Sequence, residues 1–209
     1  MAEIEHRWVV PSRVPIRDLL PSERRRQEGV EDATRRALQW FVLPVWAGAG
    51  LADWACHRRT DIEHTAGPNE SAIHALMMVE GGVPAILGLF CEVNAGVLAA
   101  TYGALALHEL TAIWDVAYAD DRREVTPTEQ HVHGFLERMP MMAAAFLTVL
   151  HWDQARAAVG AGGRADWKLR FKRNDLSGSY KVAILTAITG LIALPYSEEL
   201  VRCLRARRA

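Results

Sequence analysis

Asp53 and His57, Glu70 and His74, and Glu129 and His133 are each four residues apart, and His108 and Asp115 are seven apart. On a helix both separations put the two side chains on one face. One such pair is an ordinary solvated contact worth only tenths of a kcal/mol. Four pairs in one chain ask for a common cause. His64 and His131 add two more imidazoles, and seven of the eight histidines fall between His57 and His151. Imidazole with carboxylate is a ligand mixture for iron, manganese or zinc. The three cysteines, Cys56, Cys91 and Cys203, are far apart and form no CxxC pair. That spacing argues against a thiolate zinc site and against a disulfide scaffold.

The candidate metal ligands are therefore Asp53, His57, His64, Glu70, His74, His108, Asp115, Glu129, His131 and His133. They exceed the needs of one four-coordinate ion, so two metal ions are expected, iron first, with zinc and manganese as alternatives. The surplus groups would orient the ligands. Bundled helices that offer inward Glu and His are how dinuclear carboxylate centres are built.

The elements that must hold these residues are apolar. Five stretches stand out: 38–56, 72–90, 93–110, 139–152 and 180–196. Several approach the roughly 17–25 residues a membrane helix needs, and the fourth is short for one. Strict alternation is scarce, so the expected fold is all-α: an integral membrane bundle of four to five apolar helices with the His/carboxylate site at one end. Trp40, Trp54, Trp114 and Trp152 sit at the borders of the stretches, as interfacial aromatics do. Gly81-Gly82 and Pro84 predict a kink in the second stretch. Thr126-Pro127-Thr128-Glu129 reads as a helix start, and 160–163 as a glycine loop. Residues 1–37 form a polar, Arg-rich arm, 38–200 the bundle and 201–209 a basic tail.

Lys and Arg total 24 against 25 Asp and Glu, which leaves no basic excess for nucleic acid. The N-terminus is too charged for a cleaved signal peptide. With five crossings, the side that holds the N-terminus and the 153–181 loop carries 15 of the 24 basic residues. The positive-inside rule then puts the N-terminus in the cytoplasm, here of a bacterial inner membrane. The same topology gathers His57, His64, His74, His108, His131 and His133 at the other face and leaves His151 out. The basic tail fits that topology poorly unless the fifth stretch does not cross. Arg58-Arg59 and Arg122-Arg123 are expected to pair with Asp61, Asp120 and Asp121. Tyr102 and Tyr118 are expected to be packing residues.

His- and acid-rich helix ends beside short apolar spans, DWACH, ESAIH, HELTAIWD and EQHVH, resemble the membrane-bound histidine-rich di-iron oxygenases and desaturases. The resemblance spans about 53–133 and is one of style, because HxxxH, HxxHH and ExxHH boxes are absent. The mixture also looks like ferritin-like di-iron oxidases, without their doubled ExxH. The resemblance implies an oxidoreductase that uses dioxygen on a hydrophobic or lipid-like small molecule, with membrane lipids around it and an external electron donor. A zinc-dependent membrane hydrolase, with Glu70 or Asp115 as the catalytic base, is the second expectation. A non-enzymatic helical subunit or metal-handling protein is the third.

Overall fold

The structure is a computed structural model, and it describes residues 21–173 and 176–208. Among these residues eight α-helices follow one another: α1 Pro21–Ala37, α2 Leu43–Arg59, α3 Gly67–Phe90, α4 Ala95–Asp120, α5 Pro127–Leu150, α6 Trp152–Ala158, α7 Gly178–Ile188 and α8 Leu194–Ala206. π-Helical turns join α1 to α2 and α7 to α8, so each pair runs on as one long rod. No strand occurs among the described residues; one isolated bridge links Cys91 to Phe171. The first half of the Arg-rich arm lies outside the described residues, and its second half is α1. Most of the basic tail is the last part of α8.

Local chemistry explains the helix borders. Thr126 accepts the Glu129 N–H and Pro127 takes the first turn, as the sequence predicts. Asn94 caps α4 by accepting from Val97 N–H, and Ser177 caps α7 by accepting from Tyr180 N–H. At the predicted kink the chain stays helical: α3 runs through Gly81, Gly82 and Pro84. Gly81 also has a packing reason. A Cβ there would stand 2.8 Å from the Trp46 ring, so only glycine lets α2 and α3 meet at that level. Gly160, in the predicted glycine loop, has φ +75°.

At one end the bundle holds a polar interior, and much of its outer surface is apolar. Asp53, His57, Glu70, His74, Asp115, Glu129 and Glu199 are buried, while Val79, Leu107, Leu110, Ile113 and Trp114 are exposed. In water that arrangement would be unstable on both counts. Three helical units are long and apolar enough to cross a membrane: Gly67–Phe90, Ala95–Asp120 and Gly178–Ala206. Only 6% of the apolar window in the last of these is buried, so α7 stands off the bundle.

Candidate metal centre

Three helices bring an acid–imidazole pair, and a fourth a single carboxylate, to one end of the bundle. The C-terminal part of α2 supplies Asp53 and His57, and the first turns of α3 supply Glu70 and His74. The last turns of α4 supply Asp115, and the start of α5 supplies Glu129 and His133. α2 and α4 end where α3 and α5 begin, so consecutive antiparallel helices present these groups at the same level.

Two ligand sets result. Asp53, His57, Glu129 and His133 form the first, with one ligand atom from each within 4.8 Å of the others. His57 Nε2 lies 3.4 Å from Asp53 Oδ2 and 3.4 Å from Glu129 Oε1, and His133 Nε2 lies 2.9 Å from Asp53 Oδ1. Glu70, His74 and Asp115 form the second. His74 Nε2 is 3.2 Å from Asp115 Oδ1 and 3.7 Å from Glu70 Oε1. Ligand atoms about 2.1 Å from a shared ion stand about 3.0–3.4 Å apart, for octahedral and tetrahedral angles respectively. The His57–Asp53, His57–Glu129, His133–Asp53 and His74–Asp115 separations lie in or next to that range, while His74–Glu70 at 3.7 Å and His133–Glu129 at 3.9 Å exceed it. His57 Nε2 makes no hydrogen bond in its buried position and faces the Asp53 and Glu129 carboxylates.

One carboxylate, Glu199 of α8, joins the sets. Its Oε2 lies 2.8 Å from His57 Nδ1 and its Oε1 lies 3.0 Å from His74 Nδ1. Each Nδ1–H donates to Glu199, which fixes the tautomer and turns both Nε2 atoms toward the ligand sets. The two rings are stacked, with centroids 4.4 Å apart and planes within 9°. Arg123, in the turn after α4, joins the sets from the other side. Its Nε donates to Glu70 Oε1 at 3.0 Å and its Nη1 donates to Glu129 Oε2 at 3.0 Å. Burial opposes the charge on Arg123, but the Glu70 and Glu129 carboxylates outweigh it and hold the guanidinium above its ordinary pKa. Tyr196 donates to Asp53 Oδ2 at 2.9 Å.

Three of the ten predicted ligands lie outside these sets. His64 is solvated in the turn between α2 and α3 and pairs with Asp61 at 2.9 Å. His131 is exposed and packs edge-on against Phe135; two residues from Glu129, it projects from the opposite side of α5. His108 is buried, about two helical turns from Asp115, and its Nδ1 is 3.7 Å from Glu80 Oε2. The expectation for Arg123 is corrected too, because its partners are Glu70 and Glu129. Arg122 instead lies over the Tyr118 ring, and Arg58 pairs with Glu198.

Glu199, Arg123 in this role, and Tyr196 are the residues that sequence reasoning missed. Tyr196, Glu199 and Cys203 are spaced three and four apart and all buried, so they form the inward stripe of α8. That period was the available signal, and it ran past the end assigned to the fifth apolar stretch.

A small cavity of about 30 Å³, room for a water molecule or two, touches both ligand sets through Asp53, His133, His74 and Asp115. A second cavity of about 460 Å³ runs from Met77, Met78, His108 and Leu136, which also line the first, to Leu150 and Lys172 at the far end. Comparison with protein-family models, with curated proteins and with solved structures gives no match to this chain. Fold and site together define an all-helical protein with three helices able to cross a membrane and a buried His/carboxylate cluster with the chemistry of a metal centre.

Proposed function

We propose that this chain is a membrane-embedded dinuclear oxidoreductase that uses two iron ions and dioxygen to oxidise an apolar, lipid-like substrate. The observation that carries this reading is charge. Asp53, Glu70, Asp115, Glu129 and Glu199 are all nearly inaccessible, and Arg123 is the cation among them. Five carboxylates against one guanidinium leave four negative charges that only bound cations or protonated His57, His74 and His133 can balance in a low-dielectric interior. Buried charge at that density is untenable unless it is neutralised. Two divalent cations neutralise it, one for each ligand set.

Asp53, His57, Glu129 and His133 would hold one ion, and Glu70, His74 and Asp115 the other. The pair of ions would supply two-electron redox chemistry toward dioxygen at a site with coordination positions left open. The residues of the chain supply the rest. Glu199 keeps both imidazoles oriented, Arg123 fixes one carboxylate of each set, and Tyr196 orients Asp53. The apolar walls of the large cavity exclude water and admit a hydrophobic molecule laterally, beneath the loosely packed α7. Its volume lies within the range of small-molecule sites. Electrons would come from an external donor. The Lys and Arg balance supports a cytoplasmic N-terminus in an inner membrane, which puts the metal centre near the opposite face.

The test is the metal content of detergent-purified full-length protein from cells replete in iron and zinc, with His74→Ala beside it. About two irons per chain, oxidised by air after reduction and depleted in the variant, is the expected result. One zinc per chain would move the assignment to a hydrolase, and no stoichiometric metal would overturn both.

A further inference from the structure

The segment from Arg164 to Arg173, RADWKLRFKR, lies at the end of the bundle opposite the metal centre. It is extended and is pinned across the α3–α4 turn by main-chain bonds. Glu92 N–H donates to Arg170 O at 2.8 Å, Lys172 N–H to Phe90 O at 2.9 Å and Gly96 N–H to Asp166 O at 3.1 Å. Asn94 Nδ2 donates to Lys168 O at 2.8 Å. The fit is close: a Cβ on Gly96 would stand 2.8 Å from Trp167 O.

Side chains of an extended segment alternate between two faces. Here Arg170, 47% exposed, pairs with Glu92 and Asp166, Lys172 donates to Gly88 O, and Lys168 on the same face is exposed. Trp167, Leu169 and Phe171 point outward, 57%, 62% and 81% exposed. A contiguous exposed apolar row marks a contact with something apolar. The segment crosses the point where one candidate membrane span ends at Phe90 and the next begins at Ala95. Trp40 and Trp152 are exposed at the same end of the bundle, as an interfacial aromatic belt requires. Arg164, Lys168 and Arg173 add exposed positive charge beside the apolar row.

We infer that residues 164–173 form an interfacial anchor: Trp167, Leu169 and Phe171 enter the boundary between headgroups and acyl chains, and Arg164, Lys168 and Arg173 bind the phosphates of anionic phospholipid. The anchor sets the depth of the bundle in the bilayer, and its basic residues favour the anionic cytoplasmic leaflet. This inference is independent of the chemistry at the metal centre.

The test uses the full chain reconstituted into phosphatidylcholine vesicles whose lipids are brominated either near the headgroup or at mid-chain. The fluorescence difference between wild type and Trp167→Phe isolates the Trp167 signal. Quenching by the shallow bromine well above that by the deep one, with little quenching by aqueous iodide, is expected. Iodide quenching with no response to either bromolipid would overturn the anchor, as would strongest quenching at mid-chain. Shielding from all three quenchers, with cross-linked dimers through Phe171, would overturn it in favour of a second copy. In vesicles that also contain phosphatidylglycerol, the variant R164E/K168E/R173E should lose its enrichment of phosphatidylglycerol at least fivefold. Unchanged enrichment in a folded variant would overturn the phosphate contact. If that variant does not fold, the single replacement Lys168→Glu carries the same test with a twofold loss expected.

Discussion

Glu199→Gln should weaken one metal position and spare the other. The wild-type carboxylate has two acceptor oxygens, and each takes one imidazole N–H, from His57 at 2.8 Å and from His74 at 3.0 Å. An amide of the same shape offers one acceptor and one donor. Its oxygen can serve one ring, and its NH₂ group then meets the Nδ1–H of the other. That ring must rotate or change tautomer, and either response takes Nε2 away from its ligand set. Loss of an outer partner of a ligating histidine typically lowers metal affinity by about 10–100-fold. That range corresponds to about 1.4–2.7 kcal/mol. The assay is chelator competition with manganese or anaerobic ferrous iron on the detergent-solubilised full chain, with far-UV circular dichroism to confirm unchanged helix content. The titration of wild type should fit two sites of similar affinity, and that of Glu199→Gln one site retained and one weakened. Glu199→Ala should weaken both. Two sites of unchanged affinity in Glu199→Gln would refute the idea that this carboxylate orients the two rings.

Arg123→Met leaves Glu70 and Glu129 buried without their shared cation. Loss of about 3–5 kcal/mol is expected for the metal-free protein, with most of it restored by saturating divalent metal; thermal unfolding followed by circular dichroism reads both. His74→Ala and Asp53→Ala should each reduce bound metal, whereas His64→Ala and His131→Ala, whose side chains are solvated, should leave metal content at the wild-type level in elemental analysis. Gly81→Ala puts a Cβ 2.8 Å from Trp46, so the α2–α3 contact should loosen at a cost of about 1–3 kcal/mol, visible as a lowered midpoint without loss of metal from the folded protein.

Much of this site was legible in the sequence because its ligands come as local pairs. Asp53–His57, Glu70–His74 and Glu129–His133 satisfy a helical period within a single element, and no knowledge of the fold is needed to see them. The residues that join the pairs are legible only in three dimensions. Glu199 meets partners 125 and 142 residues away, and Arg123 reaches Glu70 across 53 residues. His64 and His131 illustrate the opposite error. Clustering along the chain drew them in, but one lies in a solvated turn and the other on the wrong side of its helix. His108 keeps the right face of α4 and stands too deep, because a seven-residue separation advances about 10 Å along the axis. The apolar stretches gave the helices and their bundling. They gave the ends poorly: α5 starts 12 residues before the stretch assigned to it, since its polar first turns carry ligands.

The large cavity provides the sharpest separation between the site and its substrate path. It shares Met77, Met78, His108 and Leu136 with the small cavity at the metal ligands. From Met77 it continues to Leu89 along α3, a distance of about 18 Å at the rise of an α-helix. Apolar side chains line it over that length, which fits an extended apolar molecule. Ala104 and Ala143 line its middle on α4 and α5, well away from the ligands. Ala104→Phe or Ala143→Phe should therefore block the passage and leave the metal centre intact. The measurement is mass spectrometry of organic-solvent extracts from protein purified in mild detergent, with metal content determined on the same samples. Extended apolar compounds should be present in wild type and reduced at least several-fold in both variants, at equal metal content. Equal retention of those compounds in wild type and variants would show that they bind elsewhere, and the cavity would then be a packing gap beneath α7 and no route to the metal centre.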